Sequence, residues 1–261
     1  MGKALLAGWL DQGIPGSTIT VVEPQPVRPE PIGFLDRGVR FAESVDGLPS
    51  STSPAVILLA IKPQAVDSVV PLYRRFVRHA PVFLSIAAGR TLSSLETLLG
   101  ERTAIVRSMP NTPAAIRRGI TVACTNKYTL SSQRALCHRL MEAVGEVLWI
   151  EDEYLMDAVT AVSGSGPAYL FLLTEELAAA GIEAGLPEDL ARRLARSTII
   201  GASALLASSH LSPSELRSAV TSPGGTTEAA LERLMGPQGL GALMTMAVRA
   251  ATDRSRTLSP G

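Results

Sequence analysis

The sequence predicts an α/β fold in two parts, a parallel-sheet domain over residues 1–152 and an all-helical domain over 153–261. Three observations carry this. The first half alternates short β-branched apolar runs with helical patterns, as repeated strand–helix–strand units do. After Glu151-Asp152-Glu153 such runs vanish, and Ala, Leu, Met and Glu fill long helical windows. Several of those windows are apolar on more than one side, so they must bury more than one face.

Residues 1–10 read as a helix with Leu5, Leu6, Trp9 and Leu10 on one face. Strands are expected at 19–23, 39–42, 55–61, 82–87 and 103–109, and 120–125 and 147–150 extend the sheet. Helices are expected at 64–77, 93–99 and 131–144. The second half should fold as helices at 157–162, 167–181, 188–208, 213–219, 226–234 and 240–256. The run Thr198-Ile199-Ile200-Gly201-Ala202-Ser203-Ala204-Leu205-Leu206 is apolar or small around most of its circumference. About a hundred helical residues form few layers in which to bury such a surface, so a subunit interface is the natural solution.

The composition narrows the function classes. Lys plus Arg and Asp plus Glu number 24 each, so no overall field favours nucleic acid or an anionic membrane. Cys124 and Cys137 lack metal-ligand spacing and cannot build a disulfide framework, and His79, His138 and His210 are scattered. No metal is expected. No signal peptide is recognisable and no apolar run reaches the roughly 20 residues of a bilayer span. The expectation is a cytoplasmic protein acting on a small molecule.

In a doubly wound, Rossmann-like sheet the first helix follows a central strand and a glycine-rich turn, and its N-terminus holds a pyrophosphate. Here only Met1-Gly2 could form the exit of that turn. The reading is therefore a Rossmann-like domain with its first strand absent and Met1 beside the nucleotide. Ligands in such sheets gather at the carboxyl ends of the strands. Three segments belong there: Ala60-Ile61-Lys62-Pro63-Gln64, Ser85-Ile86-Ala87-Ala88-Gly89 and Val106-Arg107-Ser108-Met109-Pro110-Asn111-Thr112-Pro113. Pro63 stops a strand and leaves Lys62 at a crevice. Small residues about Ala87 admit a flat ring, and two prolines rigidify a loop presenting Asn111. Taken singly, each is an ordinary loop. Glu23, just past Val21-Val22, has the place of an acid that bonds an adenosine ribose. It would favour NAD, and Arg28 could offset its repulsion of an NADP phosphate.

The helical half adds Ser163-Gly164-Ser165-Gly166-Pro167-Ala168-Tyr169, a turn with Ser165 or Gly166 near the helix cap and Pro167 near its first position. Close packing of a helix start accounts for it as well as ligand contact does. Thr221-Ser222-Pro223-Gly224-Gly225-Thr226-Thr227 says more. Two glycines can turn successive N–H groups inward, a helix adds its positive N-terminal dipole, and Ser222, Thr226 and Thr227 supply hydroxyls. Such a loop can trap a carboxylate without a formal charge; otherwise it is a plain capped turn.

These segments in this order and spacing resemble the pyrroline-5-carboxylate reductase family along essentially the whole chain. Singly each motif is weak; five in register are specific. The resemblance implies a Rossmann-type domain, a helical domain that interleaves in a homodimer or higher homo-oligomer, and NADPH or NADH as cofactor. The implied reaction is hydride transfer to the cyclic C=N bond of 1-pyrroline-5-carboxylate, giving L-proline in the last step of its biosynthesis. Ser222, Gly224, Gly225, Thr226 and Thr227 would hold the substrate carboxylate, Thr227 would also bond the ring nitrogen, and Val220 would line the ring. Met1, Glu23, Ala60, Lys62, Pro63, Ala87 and Asn111 would face the cofactor, bound mainly by the other subunit. MGKALLAGWL resembles the family's first helix directly after its Gly-x-Gly-Asn turn.

Two alternatives remain. Another imine or hydroxyacid reductase would use a Lys or Asp on a C-terminal helix, where residues 188–208 offer Arg192, Arg193, Arg196 and an initial Asp189. A start roughly a dozen residues late, one strand plus one turn, or else a truncated, cofactor-poor and inactive relic, would account for the absent strand.

Overall fold

The computed structural model describes residues 1–24 and 32–258. The chain divides into two compact units, Met1–Gly164 with Thr252–Gly261, and Ser165–Ala251. Composition changes near residue 152, but the first unit runs on to Gly164 because the segment after Asp152 is packed into it. Met156 is a fully buried member of the sheet core, and the Glu153 carboxylate accepts from Leu92 N at 2.8 Å and Arg107 Nη1 at 2.7 Å.

In order, the first unit contains α1 (Gly2–Asp11), β1 (Thr20–Val22), α2 (Ile32–Asp36), β2 (Arg40–Ala42), β3 (Val56–Leu59), α3 (Val66–Val69), β4 (Val82–Ser85), α4 (Leu92–Leu99), β5 (Ala104–Pro110), β6 (Gly119–Thr125), α5 (Ser131–Glu142), β7 (Gly145–Trp149) and α6 (Met156–Val159). The strands form two sheets, β1-β2 and β3-β4-β5-β6-β7. All pairs are parallel except β5 with β6, where Val106 faces Thr125 and Pro110 faces Thr121. That exception to the parallel pattern has a simple cause. The link between them is a 3-10 turn, Thr112–Ile116, whereas a parallel return needs a crossover of about a dozen residues or more.

Among the described residues no strand joins β1 to β3. Helix α1 spans that seam instead. Its apolar face (Leu5, Leu6, Trp9, Leu10) packs against Val21 and Phe41 of the small sheet and Leu58 of the large one, together with Ala143 and Val144. Trp9 Nε1 donates to Leu140 O at 2.7 Å. All four residues of β4 are buried, as a central strand covered on both faces requires.

The expected helix at 64–77 is only partly α. A 3-10 turn (Pro63–Ala65) leads into α3, and Val70–His79 continues as 3-10 helix. Pro71 explains the change: its ring crowds the carbonyl four residues back and it has no N–H to give. Helix α4 starts one residue ahead of the expected 93–99, because Thr91 Oγ1 caps it by accepting from Ser94 N at 3.1 Å.

The second unit holds α7 (Gly166–Glu183), α8 (Glu188–Ser208), α9 (Pro213–Ala219), α10 (Thr226–Leu234) and most of α11 (Leu240–Leu258). The last turns of α11 belong to the first unit, where Ser255 Oγ donates to Asp157 Oδ1 at 2.7 Å and Arg256 Nη2 to Tyr154 Oη at 2.8 Å. Among the described residues, the buried apolar side chains of the second unit are three alanines, Ala178, Ala191 and Ala195. Its large apolar residues face outward: Phe171 is 62% exposed, Ile200 60% and Met246 60%. Folded alone, this unit leaves its hydrophobic surface uncovered, as the multi-sided apolar pattern foretold.

Candidate active site

In the first unit the site is built at strand ends. Beyond β3, Ala60 and Lys62 are exposed. Lys62 is extended and its carbonyl accepts from Ala65 N at 2.9 Å, so Pro63 opens the following turn as expected. Beyond β4, Ser85 Oγ accepts from Ala87 N at 3.3 Å and Ser85 O accepts from Ser108 Oγ at 2.9 Å. These bonds tie the β4 and β5 ends together. Ala87 itself lies in the core; Ala88 is the exposed residue of that turn. Beyond β5, Asn111 Oδ1 accepts from Ile120 N at 3.0 Å, so this side chain closes the β5–β6 turn and shapes the loop that was expected to present it. Glu23 is exposed at the end of β1, with its N–H donated to Ala42 O at 2.9 Å. Arg28 lies outside the described residues.

The fit of a dinucleotide can be tested at α1. A Cβ on Gly2 would stand 3.0 Å from Ala60 Cβ, so small residues bring the start of the helix directly against the β3 end. The first turn carries no acidic residue, and Met1 O accepts from Ala4 N and Leu5 N, leaving the preceding amides of the turn ahead of the helical ladder. That positive end suits a pyrophosphate. Met1, Ala60, Lys62 and Pro63 are therefore compatible with a nicotinamide dinucleotide.

Two charge pairs brace these loops. The Arg90 guanidinium, largely buried, grips Asp67 through both nitrogens at 2.8 and 2.5 Å and donates to Pro63 O at 3.0 Å. This bidentate fork locks the β4 end to the loop after β3. Hydrogen bonding from Arg90 holds the Asp67 carboxyl below the usual range, against some desolvation. The second pair, Arg107 with Glu153, joins β5 to the segment entering α6. Burial, reinforced by Glu153, pushes the Cys124 thiol up to about 12, and burial alone does the same for Cys137. Neither thiol is a nucleophile.

The segment 163–169 begins with a π-helical turn, Thr160–Gly164, followed by Ser165 as cap and Pro167 at the start of α7. Gly164 is packed tightly: a Cβ there would meet Met109 Cε at 2.5 Å. Ser163 Oγ is buried without a hydrogen-bond partner among the described residues.

In the second unit, α9 ends at the exposed Val220 and the chain turns at 222–225, with Gly225 N donating to Ser222 O at 3.0 Å. Gly224 has φ +71, the left-handed region that glycine adopts without strain, and this turns its amide toward the start of α10. Gly225 is the N-cap, and Thr226 and Thr227 are the first helical residues. Their N–H groups precede the first intrahelical donor, Ala229 N, which bonds Gly225 O. Ser222 and Thr226 are exposed and Thr227 half-buried. The structure thus gathers Val220, Ser222, Gly224, Gly225, Thr226 and Thr227 into one loop. It adds one group not singled out from the sequence: Gly224 N donates to Glu228 Oε2 at 2.6 Å. An acid in a first helical turn is a capping signal that points to it. The Arg90–Asp67 and Arg107–Glu153 pairs had no local signal, because their partners meet only in the folded sheet.

Comparison with known proteins converges on one family. Residues 153–258 match the model for pyrroline-5-carboxylate reductase dimerisation. The chain is 38% identical to the pyrroline-5-carboxylate reductase of Pseudomonas aeruginosa, covering 99% of this chain and 93% of that one. It is 35% identical to the enzyme of Pisum sativum, again over 99% and 93%. Among solved structures, the Coxiella burnetii pyrroline-5-carboxylate reductase superposes with a TM-score of 0.88 at 32% identity, covering 100% of this chain and 95% of that one. The Plasmodium falciparum pyrroline carboxylate reductase with NADP bound gives 0.83 at 28%, also over 100% and 95%. With this likeness running from end to end, the chain belongs to the pyrroline-5-carboxylate reductase family.

Proposed function

We propose that this protein reduces 1-pyrroline-5-carboxylate to L-proline, the last step of proline biosynthesis, as a cytoplasmic homodimer or larger homo-oligomer. The observation that carries the assignment is the 221–227 loop, where backbone amides, hydroxyls and a helix N-terminus converge without a formal positive charge. A small acid fits such a trap, which holds an anion through amides, hydroxyls and a helix dipole alone. Family membership supports the same reading.

Bound NADPH or NADH would supply the hydride that adds to the carbon of the ring C=N bond, whose nitrogen keeps the proton of the iminium and becomes the amine of proline. The chain's own residues orient. Ser222, Gly224, Gly225, Thr226 and Thr227 hold the carboxylate, Thr227 steadies the ring nitrogen, and Val220 lines the ring. Met1, Glu23, Ala60, Lys62, Pro63, Ala87 and Asn111 form the cofactor side, with Ala87 and Asn111 acting through the shape of their loops. Orientation of this kind can supply much of the barrier reduction, so no acid–base dyad is required. Homo-oligomerisation is supported by the second unit's uncovered apolar helices.

The test is loss of NADPH or NADH absorbance on adding pyrroline-5-carboxylate. Substrate-dependent oxidation with proline as product is expected. Nucleotide binding without turnover, or turnover only with a hydroxyacid or an unrelated imine, would contradict the assignment.

A further inference from the structure

The Glu228 carboxylate sits on an amide assigned to the substrate. Its Oε2 accepts the Gly224 N–H at 2.6 Å, and Glu228 is the acidic residue of the first turn of α10. At the start of α9 the N-cap supplies a side chain: Ser212 Oγ and Glu215 satisfy one another's backbone. At α10 the N-cap is Gly225, which has no side chain to offer, so Glu228 reaches past it to Gly224. The dipole favours an anion there, and the anion present is the protein's own.

We infer that Glu228 is a resident competitor for the carboxylate-binding loop, which the substrate must displace. The inference rests on the reading that the loop binds the substrate carboxylate. One N–H cannot serve two carboxylates, and two anions over the same helix start repel. Binding of the substrate therefore requires Glu228 to swing out toward solvent, which its half-exposed position permits. The apparent affinity is reduced by the fraction of molecules whose amide is already taken. Once Glu228 has left, the bound geometry is unchanged, so the penalty falls on KM and not on kcat. The same contact selects against weakly held ligands. A neutral ring analogue has no carboxylate with which to exchange for Glu228.

The experiment compares E228A, E228D and S222A with the parent protein. KM for pyrroline-5-carboxylate, inhibition by L-proline and KM for the nicotinamide nucleotide would be measured, with circular dichroism melts to confirm folding. Asp at 228 keeps a charge at the helix start while its shorter arm withdraws from Gly224, so it serves where alanine weakens the helix. Expected are KM for pyrroline-5-carboxylate and the inhibition constant of proline about threefold to tenfold lower in E228A, and lower by a smaller factor in E228D, whose remaining charge still repels the incoming carboxylate. kcat should stay within about twofold and the nucleotide KM should not move. Unchanged or raised substrate KM in both variants would overturn the inference and make Glu228 a loop organiser. S222A separates that failure from a failure of the site: a higher substrate KM in S222A keeps the loop as the binding site, whereas no change in S222A or in either Glu228 variant removes the loop itself from substrate binding.

Discussion

Thr227 occupies the second helical position of α10, where its amide lies ahead of the intrahelical ladder and its side chain is half-buried. A hydroxyl bonded to a charged partner contributes about 1.5–3 kcal/mol, and each 1.4 kcal/mol is about tenfold in rate. Thr227→Ala should therefore lower kcat by roughly tenfold to a hundredfold while leaving the dissociation constant of NADPH, read by fluorescence, nearly unchanged. Equal losses in both would assign Thr227 to folding or cofactor binding. The cysteines set a contrast. With both thiols pushed to about 12, the folded protein should resist thiol reagents at pH 8 and react at two sites after unfolding; fast labelling of the native state would contradict their burial. The folded state keeps these protons where the unfolded state loses them, so stability is lost as pH rises from about 9 toward 12. The turn at 221–227 and the helix start after it were legible in the sequence because their signals are local, glycines and hydroxyls in one short run. Glu228 shows the limit of that reading: its type and position were visible, but not the direction of its side chain.

Helices and strands declare themselves to different degrees, for reasons visible in particular elements. Helices α8, α9 and α10 have the bounds expected from periodicity and caps, because each starts at a Pro or a capping turn and ends where apolar spacing fails. The segment 64–77 does not, since Pro71 converts a helical pattern into 3-10 winding. The reversal between β5 and β6 was equally hidden, because strand direction depends on connection length as much as on strand sequence. At the start of β7, Gly145 has φ +145 and an added Cβ would fall 1.9 Å from Gly119 O across the sheet. Gly145→Ala should cost about 3 kcal/mol through backbone strain and this clash, read as a lower melting temperature. A neutral effect would mean the β6–β7 ladder can yield. The Arg90–Asp67 fork makes a prediction at the same scale. Arg90→Ala should raise the KM for nicotinamide nucleotide more than that for pyrroline-5-carboxylate, because the fork fixes the loop carrying Lys62 and Pro63. A rise confined to the substrate would refute that role.

For the whole molecule, the sequence foretold two kinds of structure joined in the middle, but composition marks the change near residue 152 whereas packing carries the first unit to Gly164. Alternation of residue types reports local conformation; it does not report that Glu153 and Met156 are held by the sheet. The second unit's exposed apolar helices belong to this scale. Phe171→Glu and Met246→Glu place charges on surface that a second copy would bury, and should shift the protein to monomer in sedimentation with loss of turnover. Persistence of the oligomer would move the interface elsewhere. Function of the whole molecule depends on where a small carboxylate settles. A crystal structure with L-proline and NADP tests this most directly: the proline carboxylate should accept from the amides and hydroxyls of the 221–227 loop, with Glu228 released from Gly224. Proline bound elsewhere, with the loop unchanged, would contradict it.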